Sequence, residues 1–225
     1  AERGGALPDV MRAIIEVELK LRAETDAPLH ELELAARLGP AELGPATEVL
    51  ELDRYLDTAD GRLATAGWAC RLRTRQGSTR LSLKGPPQHA TGAALHRRPE
   101  IEGPANVNQD PERWPASPAR VQLLELSGGG ALVERLALRQ RRVERLASID
   151  GRGVGTLSLD WVRVEQDGME RGDFLAVELE LDDAALGAGF DPVSLAGALL
   201  ATPGLVQEPH TKLERALALL GSGAA

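Results

Sequence analysis

Glu16, Glu18 and Lys20 are three charged side chains at every second position of the stretch IIEVELKLR. In a helix Glu16 and Lys20 would form an ordinary i, i+4 pair, but Ile15, Val17, Leu19 and Leu21 would scatter around the cylinder. In a strand the period of two lines the four apolar residues on one face and the two acids and the lysine on the other. Alone, the segment reads as a half-buried edge strand with a wet, ion-paired face.

Other segments repeat the pattern. Arg71 and Arg73 share a face, as do Arg98, Glu100 and Glu102, then Arg139 and Arg141, then Glu178 and Glu180; Lys84 and Asp160 end the runs LSLK and LSLD. Exposed pairs worth about 0–1 kcal/mol each would explain every strand separately. They explain less well why acids and bases sort by strand. A closed or strongly curved sheet would turn these rows toward one another, giving an interior with carboxylates in one sector and guanidinium and ammonium groups in another. Unpaired buried charges cost several kcal/mol each, so such an interior needs a ligand that carries both signs. A polyphosphate with divalent cations meets that need. Arginine and lysine take phosphate oxygens, while carboxylates take Mg²⁺ or Mn²⁺ and leave positions for water and phosphate.

The elements that must position these rows are readable from turn and capping signals. Strands are expected at Ile14 to Arg22, Val49 to Leu56, Trp68 to Thr74, Thr79 to Lys84, Leu132 to Ala147, Val154 to Glu165 and Asp173 to Leu181. RQGS, Asp150-Gly151 and Gln166 to Gly168 supply turns. Helices are expected from Pro28 to Leu38, from Ser117-Pro118 to Gly128, after Asp191-Pro192, and after the capping box Thr211 to Glu214. GPPQHATGAALH reads as loop, RRPEIEG as a short charged piece whose Pro99 makes it an edge or delays its start, and Pro104 to Pro118 as a surface connection. Three long successive strands near the end imply an antiparallel sheet. Residues 1–13 look like a flexible leader, 14–220 like one domain and 221–225 like a tail.

Composition sets the outer limits. With 225 residues and 43% hydrophobic content, the chain can bury a real core. Only 3% of residues are aromatic, leaving little to stack on bases or rings, and the net charge of −8 argues against a general polyanion surface. We therefore expect no nucleic-acid partner. The single cysteine, Cys70, excludes an intramolecular disulfide and a cysteine zinc cluster. No run of apolar residues is long enough to span a membrane and no signal-like segment is present, so the expectation is a soluble cytoplasmic protein. His30, His89, His96 and His210 lack ligand spacing and read as surface residues; Trp68, Trp114 and Trp161 read as packing, and Asp57 as a structural Asx-turn residue.

The charged segments together resemble the CYTH superfamily, the triphosphate tunnel metalloenzymes, and most closely its bacterial inorganic triphosphatases. EVELK matches the ExExK signature. In family order follow YLDT, RLRTR with Arg71 and Arg73, LSLKG with Lys84, RPEIE, RQRR, LSLD, VELE and TKLERAL with Lys212, covering Ile15 to about Leu219. The resemblance implies an α+β fold, an eight-stranded antiparallel tunnel with a charged interior, flanked by helices. It implies that Lys20, Arg71, Arg73, Lys84, Arg98, Arg139, Arg141 and Lys212 grip a triphosphate, with Arg142 the rival of Arg139 around RQRR. It assigns Glu16, Glu18, Asp160, Glu178 and Glu180 to Mg²⁺ or Mn²⁺, and Glu100, Glu102 and Lys84, with Glu16 and Glu18, to catalysis. The expected activity is metal-assisted hydrolysis of inorganic tripolyphosphate to pyrophosphate and phosphate. Thiamine triphosphate or nucleoside triphosphates are alternative substrates. A non-catalytic triphosphate- or polyphosphate-binding module, joined through its C-terminal tail to a polyphosphate-associated helical domain, is the reading of another class.

Overall fold

The computed structural model describes residues 14–88 and 95–222; the expected leader 1–13, His89 and residues 223–225 of the expected tail lie outside them. In chain order the elements are β1 (Ile14–Ala23), α1 (Ala27–Leu34), β2 (Arg37–Leu38), β3 (Ala41–Leu43), β4 (Thr47–Thr58), α2 (Arg62–Thr65), β5 (Ala69–Arg75) and β6 (Ser78–Lys84). They continue with β7 (Leu95–Ala105), α3 (Pro118–Ser127), β8 (Leu132–Ile149), β9 (Arg152–Gln166), β10 (Met169–Leu181), α4 (Asp183–Gly187), α5 (Val193–Leu200), β11 (Leu205–Gln207) and α6 (Lys212–Ser222).

Eight strands close on themselves in the order β8-β4-β5-β6-β7-β1-β10-β9, with β9 returning to β8, and the ladders between neighbours are antiparallel. Closure removes the edge that the opening strand would otherwise present. Three of its hairpins use two-residue turns with positive φ at both positions: Gln76-Gly77, Asp150-Gly151 and Asp167-Gly168. Their twist matches that of the flanking strands, and aspartate or glutamine precedes glycine there. β2 and β3 form a small extension on β8, and β11 pairs with the far end of β1.

The outer wall is apolar and is covered in two places. Val17, Leu19 and Leu21 of β1 pack with Leu157, Leu159, Val177 and Leu179 beneath α1 and α5, whose Leu29, Leu32, Leu195 and Leu199 are buried. Leu72, Leu81 and Leu83 pack with Leu63 of α2, Leu123 of α3 and Trp114. Burying a leucine side chain contributes about 1.5–3 kcal/mol, so these clusters fix which face of each strand turns outward. Among the described residues no helix is long and apolar enough to cross a membrane.

Capping follows the sequence signals closely. The Ser117 hydroxyl accepts from the Arg120 amide at 3.2 Å, Pro118 occupies the first turn, and Gly128 ends α3 at φ 59°. Thr211 and Glu214 exchange hydrogen bonds of 2.7 and 3.1 Å at the start of α6. Asp57 accepts from the amides of Thr58, Leu63 and Ala64, a structural task as expected.

Two expectations need correction. The helix expected from Pro28 to Leu38 stops at Leu34, because Arg145 collects the carbonyls of Leu32, Glu33, Ala35, Leu43 and Gly44 at 2.5–3.1 Å and turns the chain back. The charged piece RRPEIEG is neither an edge nor a late start: β7 begins at Leu95 and pairs with β1 and β6. Pro99 is tolerated because it stands opposite Ile15 where the β6 ladder ends, and its carbonyl still accepts from the Gly85 amide at 2.8 Å.

Candidate active site

With the apolar faces outward, the charged rows enter the barrel. Glu16, Glu18 and Lys20 are only 7%, 3% and 4% exposed, which overturns the wet-face reading of the opening strand. The cavity among them measures about 250 Å³ and is lined by Glu16, Glu18, Arg71, Arg73, Lys84, Glu100, Glu102, Arg142, Ser158, Glu178 and Glu180. A larger hollow of about 1080 Å³ lies along the outer wall at Leu50, Arg139, Arg141 and Trp161, on the face opposite the inward charges.

Toward the mouth, Glu16 is held by Lys84 and by Arg98 at 2.9 Å, and Glu18 by Arg98 at 3.0 Å and Lys20 at 3.1 Å. Glu100 accepts from Ser82 and lies 3.4 Å from Lys84. Burial alone would raise the Glu100 carboxyl, but Lys84 and Arg71 overcome it and hold the group below its ordinary value. Glu180 is different: among the described residues its carboxyl has no hydrogen-bond or ion-pair partner, and partial burial together with the Glu16 carboxylate pushes it up to about 7. Glu102 stands outermost, paired with Arg80 at 3.2 Å.

Toward the floor the pairs are denser. Arg142 binds Asp160 through two bonds of 2.7 and 2.9 Å and reaches Glu178 at 3.1 Å, and Lys212 of α6 binds the same two acids at 2.7 and 2.8 Å. Burial would raise Glu178, yet Lys212 and Arg142 hold it well below the carboxylate range. Arg73 grips Asp53 through two 2.7 Å bonds, with Gln140 adding another at 2.9 Å. Burial would also raise Asp53; Arg71 and Arg73 reverse that and keep it ionised. Below these pairs Tyr55, Leu138, Val162 and Phe174 close the barrel against Ala216 of α6. Near that end, beside Lys20 and Lys212, only about 10 Å³ of free space remains. Among the described residues the tunnel is therefore a cul-de-sac with one acidic mouth.

Most residues expected in the site are gathered here: Glu16, Glu18, Lys20, Arg71, Arg73, Lys84, Arg98, Glu100, Glu102, Asp160, Glu178, Glu180 and Lys212. Arg139 and Arg141 are not. Arg139 pairs with Glu165 at 2.6 Å on the outer wall, and Arg141 pairs with Glu48 at 2.8 Å with its guanidinium 4.2 Å from the Trp161 ring. The rival Arg142 takes the inward place. Strand alternation decides this: Val143 and Ala147 belong to the outer apolar cluster, so Arg142 and Glu144 must face the tunnel.

The sequence reading also missed Glu51, Asp53, Arg75, Gln140 and Glu144, and placed His96 on the surface. His96 sits on β7 opposite Glu18, half-buried, with Nε2 unpartnered; burial and Lys20 lower its pKa. Glu51 is wholly buried and neither oxygen accepts a hydrogen bond, although Arg73, Arg75 and Arg142 stand 3.3–3.7 Å away. The signal was present in ELDRY, where Glu51, Asp53 and Tyr55 alternate as Glu16, Glu18 and Lys20 do.

Among the described residues no three acidic, cysteine or histidine side chains converge as a ready metal-ligand set. The donor chemistry nonetheless suits a hard divalent cation: Glu16, Glu100 and Glu18 all repel charge on Glu180, and a bound cation would relieve that repulsion.

The CYTH domain model matches residues 14–191. No curated protein matches by sequence. Among solved structures, an adenylyl cyclase homologue from Hippeastrum with a dominant triphosphatase activity is 23% identical, with 93% of this chain and 97% of that one covered and a TM-score of 0.62. A protein from Bacillus halodurans, assigned as an adenylate cyclase, is 19% identical over 89% of this chain and 97% of its own, TM-score 0.56. A protein from Pyrococcus horikoshii is 20% identical over 90% and 98%, TM-score 0.52. Each of these likenesses is one of fold.

Proposed function

The chain belongs to the CYTH domain family, which its match over residues 14–191 establishes, and on that premise we propose that it hydrolyses inorganic tripolyphosphate to pyrophosphate and phosphate with Mg²⁺ or Mn²⁺. One observation carries this reading: acids and bases are interleaved around a closed-ended cavity of about 250 Å³, below the roughly 300–1,000 Å³ of pockets that take drug-sized ligands. A triphosphate would replace carboxylates as the partner of Lys20, Arg71, Arg73, Lys84 and Arg98, with Arg142 and Lys212 reaching it from the floor. Released by that exchange, Glu16, Glu18, Glu178 and Asp160 join Glu180 as the carboxylates able to hold divalent cations. When bound, such a cation neutralises phosphate charge and acidifies a coordinated water. The chain's own task is to hold the terminal phosphorus for in-line attack and to accept the proton of the attacking water on one of Glu16, Glu18, Glu100 or Glu102. The acid set favours catalysis over capture, since a module that only binds anions needs none of Glu16, Glu18, Glu178 and Glu180.

Phosphate release from tripolyphosphate, ATP and thiamine triphosphate, each with and without Mg²⁺ or Mn²⁺, tests the proposal. Metal-dependent release, fastest from tripolyphosphate, is expected. Tight binding without release from any of the three would leave the binding-module reading in its place.

A further inference from the structure

Outside the tunnel cavity lies a vestibule of about 520 Å³ that shares Glu16, Glu100, Glu102 and Glu180 with it. Its rim adds Asp182 and Asp183, and among the described residues its one cationic side chain is Arg80, already paired with Glu102 at 3.2 Å. Ile14, Ile15, Ile101, Pro118 and Leu181 supply the rest of the wall and hold no cation for a phosphate. The opposite end is shut by Tyr55, Phe174 and α6.

We propose that this carboxylate-rimmed vestibule is a chain-length filter: it admits a short oligophosphate whole and rejects longer polyphosphate, whose remaining units must stay among Glu102, Asp182 and Asp183. The inference rests on the triphosphate reading of the tunnel and goes beyond it, because it concerns what lies outside the cavity. A chain cannot thread through, since the floor is closed. Every unit beyond those the cavity holds therefore stands in the mouth, where like charge opposes it and, among the described residues, no arginine or lysine row follows it outward. Repulsion between fixed and mobile charges in a cleft of low dielectric changes local concentration and association rate by large factors and weakens with salt. Asp182 and Asp183 act on the extension only, since neither lines the inner cavity.

The test compares tripolyphosphate with long-chain polyphosphate, counted per chain end, at fixed free Mg²⁺ and at low and high ionic strength. It uses the wild-type chain, the double variant Asp182→Asn/Asp183→Asn, and Arg80→Gln. Asparagine keeps the cap that Asp182 gives the Ala185 amide at 2.9 Å, so α4 is retained. Wild type is expected to prefer tripolyphosphate. The double variant should leave tripolyphosphate turnover unchanged and raise long-chain turnover about three- to tenfold at low salt, an advantage that shrinks as salt is added. Arg80→Gln should sharpen the preference. Equal use of both lengths by wild type, or a double variant with an unchanged length ratio at low salt, overturns the filter. Competition binding of the two anions is measured alongside. If tripolyphosphate binds without being cleaved, the hydrolase reading fails while the binding ratio still decides the filter; if tripolyphosphate is not bound at all, both fail.

Discussion

The two ends of the tunnel are built differently from the same residue types. At the floor, Asp53 and Asp160 are fully buried and held by two-point arginine contacts, Lys212 is pinned between two acids, and an apolar layer shuts out water. At the mouth, Glu18 shares Arg98 with Glu16, Glu102 is half-exposed, and Glu180 has no partner among the described residues. Charges in the first group brace the barrel as well as waiting on a ligand that reaches the floor. Those in the second can change partners when a polyanion arrives, which is what an exchange of ligands demands.

Mutations should separate the ends. Arg142→Ala removes the guanidinium shared by Asp160, Glu178 and Glu51, leaving buried carboxylates undercompensated; a loss of about 3–5 kcal/mol is expected, read as a drop in the thermal midpoint of about 10 °C or more. A midpoint near wild type would mean that the floor is not structural. Glu18→Gln should keep that midpoint within a few degrees and abolish metal-dependent phosphate release, by about a hundredfold or more; near-normal turnover would remove this face from the site.

Glu180→Gln probes the unpartnered acid through pH. A carboxyl raised to about 7 in the folded chain binds more protons there than in the unfolded chain, so it withdraws stability as pH climbs from its ordinary 4.5 through 7. In metal-free buffer the glutamine variant should melt about 1 °C higher than wild type at pH 8, the effect being small because the group is solvent-screened, and at the wild-type temperature at pH 4. An equal gain at both pH values would trace the effect to something other than charge. Least should happen with Arg139→Ala: its outer-wall pair with Glu165 is solvent-screened, so stability should stay within about 0.5 kcal/mol and turnover should not move. Loss of turnover there would reverse the facing of β8.

How far the sequence could be read depended on whether each strand had an apolar face to orient it. β1 and β10 alternate cleanly, and Glu16, Glu18, Lys20, Glu178 and Glu180 were legible from that alone. β8 is polar on both sides around RQRR: Arg139 and Arg141 face out to Glu165, Glu48 and Trp161, and only Val143 and Ala147, farther along, reveal that Arg142 faces in. Glu51 and Asp53 obeyed the rule but lay upstream of the motif that drew notice. His96 was hidden because β7 is held by its neighbours' ladders more than by its own β-propensity, so residues that look like loop are strand. The early end of α1 was not readable either, since it depends on Arg145, which arrives more than a hundred residues later.

Lys212 belongs to α6, whereas its partners Asp160 and Glu178 lie on strands completed by Leu181. A chain made from its N-terminus thus finishes the barrel wall before it makes the plug. In that interval two inward carboxylates share one guanidinium, and Val162 and Phe174 face an open end. The order of synthesis leaves the barrel's last repair to the opening turns of α6: until that helix docks, water has a second door.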